Sequence, residues 1–114
     1  MNSSANLPAE ISAQDVKQIL DEASDITLLD CRRDEERKIA KLAGSSWIPI
    51  DEVEHRVSEL FPHRERRLIV YCHHGIRSRM VSDWLKTNGF AAVQSMAGGI
   101  DQWSCRVDPA VPRY

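Results

Sequence analysis

Cys72 closes an apolar run, Leu68-Ile69-Val70-Tyr71, and is followed by His73, His74, Gly75, Ile76, Arg77 and Ser78 before a helical pattern begins. A thiol at the carboxyl end of a buried strand, facing a short loop rich in donors, is placed to react as a thiolate. The helix expected next points its first N–H groups back toward the sulfur, and its dipole favours an anion there. Both effects depress a thiol pKa, and Arg77 adds positive charge if it turns inward. Gly75 lets the loop curl through a positive φ at no steric cost. The expected result is a cradle of backbone donors around a thiolate. The plainer reading of a free cysteine is a small buried side chain. That reading is adopted for Cys31 and Cys105, although Cys31 ends a strand of its own and is open to an approach to Cys72.

His73 and His74 next to Cys72 raise the question of zinc. Three adjacent residues do not converge easily on one tetrahedral ion, and no second Cys/His pair stands at a usual spacing. No metal is expected, and no other cofactor. The two histidines are read either as contacts for an anionic substrate or as passive surface groups. The cysteines are three in number and widely spaced, which is no disulfide framework.

The chain has 114 residues, 42% hydrophobic and 28% charged, enough for one compact core and too few for two. A net charge of -2 gives no reason to expect nucleic acid or an anionic membrane as partner. Arginines gather at Arg32-Arg33 and at 64–67, and both groups are read as a solvated rim. The opening residues, MNSSANLPAEIS, have neither a basic n-region nor an apolar core, so no secretory signal and a cytoplasmic location are expected.

Helical and strand-like segments alternate, which argues for an α/β domain with a mostly parallel sheet. Residues 1–7 are expected to be a flexible tail and 8–114 a single domain. A short strand is placed around 8–11. Ser12 and Asp15 have capping-box spacing, and Val16, Ile19, Leu20 and Ala23 form the stripe of the first helix. Residues 26–31, ITLLDC, read as a buried strand, and Asp34 as the cap of a short helix reaching Ile39. Residues 46–50 read as a strand, at an edge because of Pro49. Asp51 and Glu54 suggest a second capping box for a helix that Pro62 stops. After the strand at 68–71, a helix is expected over 78–88, with Ile76, Met80, Val81, Trp84 and Leu85 on its inner side. A last strand at 92–96, a Gly98-Gly99 turn and a brief helical turn at 100–103 follow. The tail is expected to dock through Val111 and Tyr114.

Several of these residues together resemble a single-domain rhodanese, from the sulfurtransferase family. Cys72 with His73-His74-Gly75-Ile76-Arg77-Ser78 is similar to the family's reactive loop. Asp30-Cys31-Arg32 is similar to its early Asp-x-Arg signature. Gly89-Phe90 and Gly98-Gly99-Ile100-Asp101-Gln102-Trp103 are similar to its late Gly-Phe and Gly-Gly-x-x-x-Trp pattern. The likeness covers about Ile11 to Trp103. One departure is Ala40-Lys41-Leu42, where many members have Gly-His-Ile. The resemblance implies a three-layer α/β/α fold with five strands in the order 3-2-4-5-1, which brings Asp30 and Arg32 near Cys72 in a supporting role. It implies transfer of a sulfane sulfur, from a donor such as thiosulfate or a persulfidated protein, through a Cys72 persulfide to a thiol or cyanide. His73, His74, Gly75, Ile76, Arg77 and Ser78 would surround the substrate. A monomer or weak homodimer is expected.

Two other readings stay open. One is a protein-partnered sulfur relay or redox-sensing module. The other is a Cys-dependent phosphatase or arsenate reductase of related fold. The latter enzymes place five residues between cysteine and arginine, whereas four separate Cys72 from Arg77, and the tighter loop suits one sulfur better than a phosphate.

Overall fold

A computed structural model describes residues 7–22 and 25–114. The tail expected at 1–7, apart from Leu7, and Ala23 of the first stripe lie outside the described residues. Five strands, β1 (Glu10–Ile11), β2 (Ile26–Asp30), β3 (Ser46–Trp47), β4 (Arg67–Tyr71) and β5 (Val93–Met96), form one sheet in the order β1-β5-β4-β2-β3. Every neighbouring pair is parallel. The expected order 3-2-4-5-1 is the same sheet counted from its other edge.

Strand alternation divides the core in two. Leu29, Cys31, Leu68, Val70, Cys72 and Val93 face one side, where Val81 and Leu85 of α4 (Ile76–Thr87) pack with Val53 and Leu60. Leu28, Ile69, Tyr71 and Met96 face the other, against Ala13 and Val16 of α1 (Ala13–Glu22) and Ile100 and Trp103 of α5 (Gly99–Arg106). A parallel sheet buried on both faces needs near-continuous apolar strands, and LIVY is that pattern. Parallel strands also end together, so β2 and β4 deliver Asp30 and Cys72 to the same edge of the layer.

Ser12 caps α1 as expected, its Oγ accepting from Asp15 N at 3.1 Å. Other elements depart from expectation. The cap of α2 (Asp34–Ile39) is Arg33, not Asp34, with Arg33 N donating to Glu36 Oε1 at 3.2 Å. β3 is only two residues long, although it is at the edge. The helix expected between Asp51 and Pro62 is three pieces: 3₁₀ turns Ile50–Glu52 and Val57–His63 around α3 (Val53–Arg56). Pro62 sits inside the second turn instead of ending a helix. A 3₁₀ turn lacks the i→i+4 ladder that proline breaks, so proline is tolerated there. α4 starts two residues early, at Ile76, and α5 runs for two turns in place of one.

Burial overturns three further expectations. Ile76 and Met80 are 74% and 61% exposed, because the inner face of α4 belongs to Ser78, Val81, Ser82 and Leu85. Arg32 is fully buried and no part of a solvated rim, whereas Arg33 is exposed. Cys105 is exposed and Cys31 is buried. The C-terminal residues dock as expected, Val111 packing on the α1/α5 core and Tyr114 Oη accepting from Arg32 Nη1 at 2.8 Å; Arg113 adds a pair with Asp101 at 2.8 Å.

Candidate active site

Cys72 is 1% exposed and sits between the end of β4 and the first turn of α4. Its Sγ accepts from Gly75 N at 3.1 Å and from Ser78 N at 3.3 Å. Ser78 Oγ lies 3.4 Å from the sulfur and 2.7 Å from Ser95 Oγ. With Cys72 ionised, Ser95 donates to Ser78 and Ser78 donates to the sulfur. The twelve-residue helix α4 adds the positive end of its dipole at the same point.

Two glycines make this loop possible. Gly75 has φ +99°, the left-handed region, and this turns its amide inward as it opens α4. At Gly99 (φ +61°) a Cβ would lie 2.4 Å from the carbonyl oxygens of both Cys72 and His73. The close approach lets Ile100 N donate to Cys72 O at 2.8 Å and Asp101 N to His73 O at 3.1 Å. The first turn of α5 thereby ties up the two loop carbonyls, and the amides of Gly75 and Ser78 are the groups that face the sulfur.

The Cys72 thiol is pulled down to about 5. The largest cause is the neighbouring Cys31 thiol, whose Sγ donates to Tyr71 O at 3.5 Å; burial opposes it, and the Ser78 hydroxyl, Ser78 N–H and Gly75 N–H add to it. The same proximity holds Cys31 protonated, well above the ordinary thiol range, with burial assisting. Ser78→Ala removes one of these donors and keeps its backbone. Its Cys72 alkylation inflection is expected to rise by about one pH unit, lowering the rate at pH 5 by about twofold once the greater nucleophilicity of the more basic thiolate is included. An unmoved inflection excludes the Ser78 hydroxyl as a donor.

Behind the loop, the Asp30 carboxylate is a hub. It accepts from Arg32 N at 3.0 Å, Arg32 Nε at 2.9 Å, Arg32 Nη2 at 2.8 Å, Arg37 Nη1 at 2.9 Å and Tyr71 Oη at 3.2 Å. Arg32 Nη2 also donates to Ala40 O at 2.6 Å and Arg32 Nη1 to Tyr114 Oη at 2.8 Å. Tyr114 Oη in turn donates to Glu36 Oε2 at 2.8 Å. Glu36 grips Arg77 with both oxygens, at 2.6 and 2.8 Å, and the Arg77 fork holds its carboxyl at about 2. Asp30 and Arg32 therefore support the loop through α2 and the C-terminus, and do not touch Cys72. The edge of Arg77 expected to bind an anionic substrate is occupied by Glu36. Glu36, Ser95 and the shared hub of Tyr71 and Tyr114 were not legible from local spacing, because each acts on partners that are distant in sequence.

His73 stacks on His74 and on Tyr114, both with ring centroids 3.8 Å apart, and its Nε2 is buried without a partner. His73, His74 and Asp101 bring ligand atoms within 4.8 Å of one another. The two imidazoles are stacked ring on ring, and both Asp101 oxygens are engaged by Arg113, at 2.8 and 3.3 Å. That donor set does not fit a resident tetrahedral ion.

A family model for the rhodanese-like domain matches residues 12–105. A putative sulfur carrier protein of Bacillus subtilis is 34% identical over 99 residues, covering 87% of this chain and 52% of that protein. A rhodanese-related protein of Thermoplasma volcanium has a solved structure with a TM-score of 0.79 and 28% identity, covering 94% of this chain and all of that one. A thiosulfate sulfurtransferase of Pseudomonas aeruginosa superposes with a TM-score of 0.76 at 27% identity, covering 90% of this chain and 20% of that one. The chain spans 27% to 52% of the length of several curated relatives that it matches. No helix among the described residues is long and apolar enough to cross a membrane.

Proposed function

The chain belongs to the rhodanese-like domain family, and from that membership we propose that it moves a sulfane sulfur through a Cys72 persulfide. The observation that carries this reading is the pair of amides, Gly75 N and Ser78 N, set 3.1 and 3.3 Å from a sulfur at a helix N-terminus. They stabilise the thiolate that attacks and the anion that results. The Cys72 thiolate attacks the outer sulfur of thiosulfate, its S–S bond breaks, and sulfite leaves. Cys72 then carries the sulfur as a persulfide anion. A thiolate acceptor attacks that outer sulfur, takes it as its own persulfide, and the Cys72 thiolate returns. Arg77 lends positive charge beside the sulfur, and a sulfonate competes with Glu36 for its fork. His74, exposed on the same loop, is open to the donor's anionic end, and His73 is stacked between it and Tyr114.

A second reading, a relay whose donor and acceptor are proteins, is favoured by one feature. Ile76 and Met80, exposed and one helical turn apart, run from the loop toward a groove of about 430 Å³ that Met80 and Trp84 line with Ile50 and Val53. An apolar strip next to a reactive loop suits a protein surface better than a small anion.

Incubation with thiosulfate followed by intact mass spectrometry tests the main reading. One added sulfur atom is expected, lost again on addition of a small thiol. An unchanged mass overturns thiosulfate as donor, and the relay is then tested with a persulfidated protein thiol.

A further inference from the structure

We propose that Cys31 is the resolving thiol of Cys72: once Cys72 Sγ carries a leaving group, Cys31 Sγ attacks it and closes a disulfide between β2 and β4. The sheet register places the two residues opposite one another. Leu29 pairs with Val70 and Asp30 with Tyr71, so the next pair is Cys31 with Cys72, and Cys31 N still donates to Tyr71 O at 3.1 Å. Alternation sends both side chains to the α4 side, where both belong to one core cluster at 0% and 1% exposure. Neighbouring strands lie about 4.8 Å apart. A disulfide needs its Cα atoms about 4.4–6.8 Å apart, a window that the spacing of adjacent strands meets. The Cys31 thiol donates to Tyr71 O at 3.5 Å, the carbonyl that immediately precedes Cys72.

Two routes reach the disulfide. The first rests on the function proposed above. Cys31 attacks the inner sulfur of the Cys72 persulfide, the outer S–S bond breaks, and the outer sulfur leaves as hydrosulfide with the Cys31 proton. The outgoing sulfur is reduced to sulfide and the two cysteine sulfurs are oxidised to the disulfide. The second route is independent of sulfur transfer and takes a peroxide as oxidant. The Cys72 thiolate attacks hydrogen peroxide, expels hydroxide and becomes a sulfenic acid. Cys31 then displaces the sulfenic oxygen, which leaves as water with the Cys31 proton. Because Cys31 stays protonated beside its partner, it attacks slowly, and an external acceptor has time to take the sulfur first. Resolution is thus the fate of a loaded Cys72 that meets no acceptor, and it releases sulfide.

The test uses the full chain with Cys105→Ser, which removes the exposed third thiol, in two arms. One equivalent of hydrogen peroxide, then peptide mapping without reductant, is expected to give a Cys31–Cys72 crosslinked peptide. In Cys31→Ser, which keeps a hydrogen-bond donor but no nucleophile, the sulfenic acid should persist and be trapped by dimedone. Thiosulfate loading, followed over time by intact mass, is expected to show the added sulfur leaving as free sulfide with loss of two hydrogens. Cys31→Ser should hold that sulfur about tenfold longer or more. Should the serine disturb the core, Cys31→Ala replaces it in both arms. Absence of the crosslink in the peroxide arm overturns the proposal. Equal persistence of the added sulfur in both chains overturns its persulfide route. A crosslink with peroxide but no sulfur uptake from thiosulfate supports the resolving role and counts against the thiosulfate function instead.

Discussion

Cys72→Ser is expected to take up no sulfur from thiosulfate under conditions that load the wild-type chain, and to keep its fold. The hydroxyl fills the same space and accepts the same Gly75 and Ser78 amides, but oxygen offers no thiolate to attack sulfur. Equal uptake by both chains removes Cys72 as the carrier. The size of the effect follows from ionisation. With the thiol at about 5 against an ordinary 9.0, Cys72 is mostly thiolate at pH 6. An ordinary thiol holds about a thousandth of its population in that form there. A less basic thiolate is intrinsically slower, by about sixtyfold over such a difference, so the net gain at pH 6 is about tenfold. The alkylation rate of the wild-type chain should therefore bend near 5 and run level above it, and an inflection near 8.5 or higher contradicts the thiolate. Stability carries the same signature. The folded value lies below the unfolded one, so the thiolate's contribution is complete above about pH 9 and disappears as pH falls through about 5. Cys31 has the opposite sign: its folded value is raised, so its contribution is full below the ordinary value and is lost as pH rises toward the folded one.

The sheet and the reactive loop were legible because their signals are local. LIVY alone gives a strand buried on both sides, Gly75 alone gives the turn, and the position of Cys72 between them places it at a helix N-terminus. The resemblance supplied the strand order, which periodicity does not contain. The misreadings come from side chains whose surroundings are set by distant chain. Apolar spacing put Ile76 and Met80 inside α4, but its inner face is occupied by Ser78, whose hydroxyl meets Cys72 and Ser95 seventeen residues on. Arg32 looked like surface charge even though Asp30 stands two residues before it, because the Ala40 carbonyl and Tyr114 hydroxyl that complete its enclosure lie further along the chain. The 50–63 segment carried helix-like spacing and became three short pieces. Cys105 is exposed on an α5 that runs longer than the four-residue turn expected at 100–103.

Asp30→Ala is expected to destabilise the fold by about 3–5 kcal/mol, a large share of the stability of a domain this size. Arg32 has no exposed side-chain surface, and its ion pair with Asp30 at 2.8 Å is buried on both sides. Removing the carboxylate leaves the guanidinium charged and buried with only the Ala40, Glu36 and Tyr114 oxygens to face. Arg37 and the Tyr71 hydroxyl lose the same acceptor, so the damage spreads along α2 and β4. Glu36 then loses the anchored Tyr114 contact, and Arg77 loses the firm seat of its counter-ion beside the loop. Urea unfolding measures the change, and a loss below about 1 kcal/mol, the range of an exposed pair, contradicts the hub. A second variant separates charge burial from simple loss of packing. Asp30→Ala combined with Arg32→Met removes both charges, so it should be more stable than Asp30→Ala alone, although it has lost more hydrogen bonds. If the double variant is instead the weaker of the two, the hub stabilises through its hydrogen bonds to Ala40 and Tyr114, and the unpaired arginine is not what makes the single substitution costly.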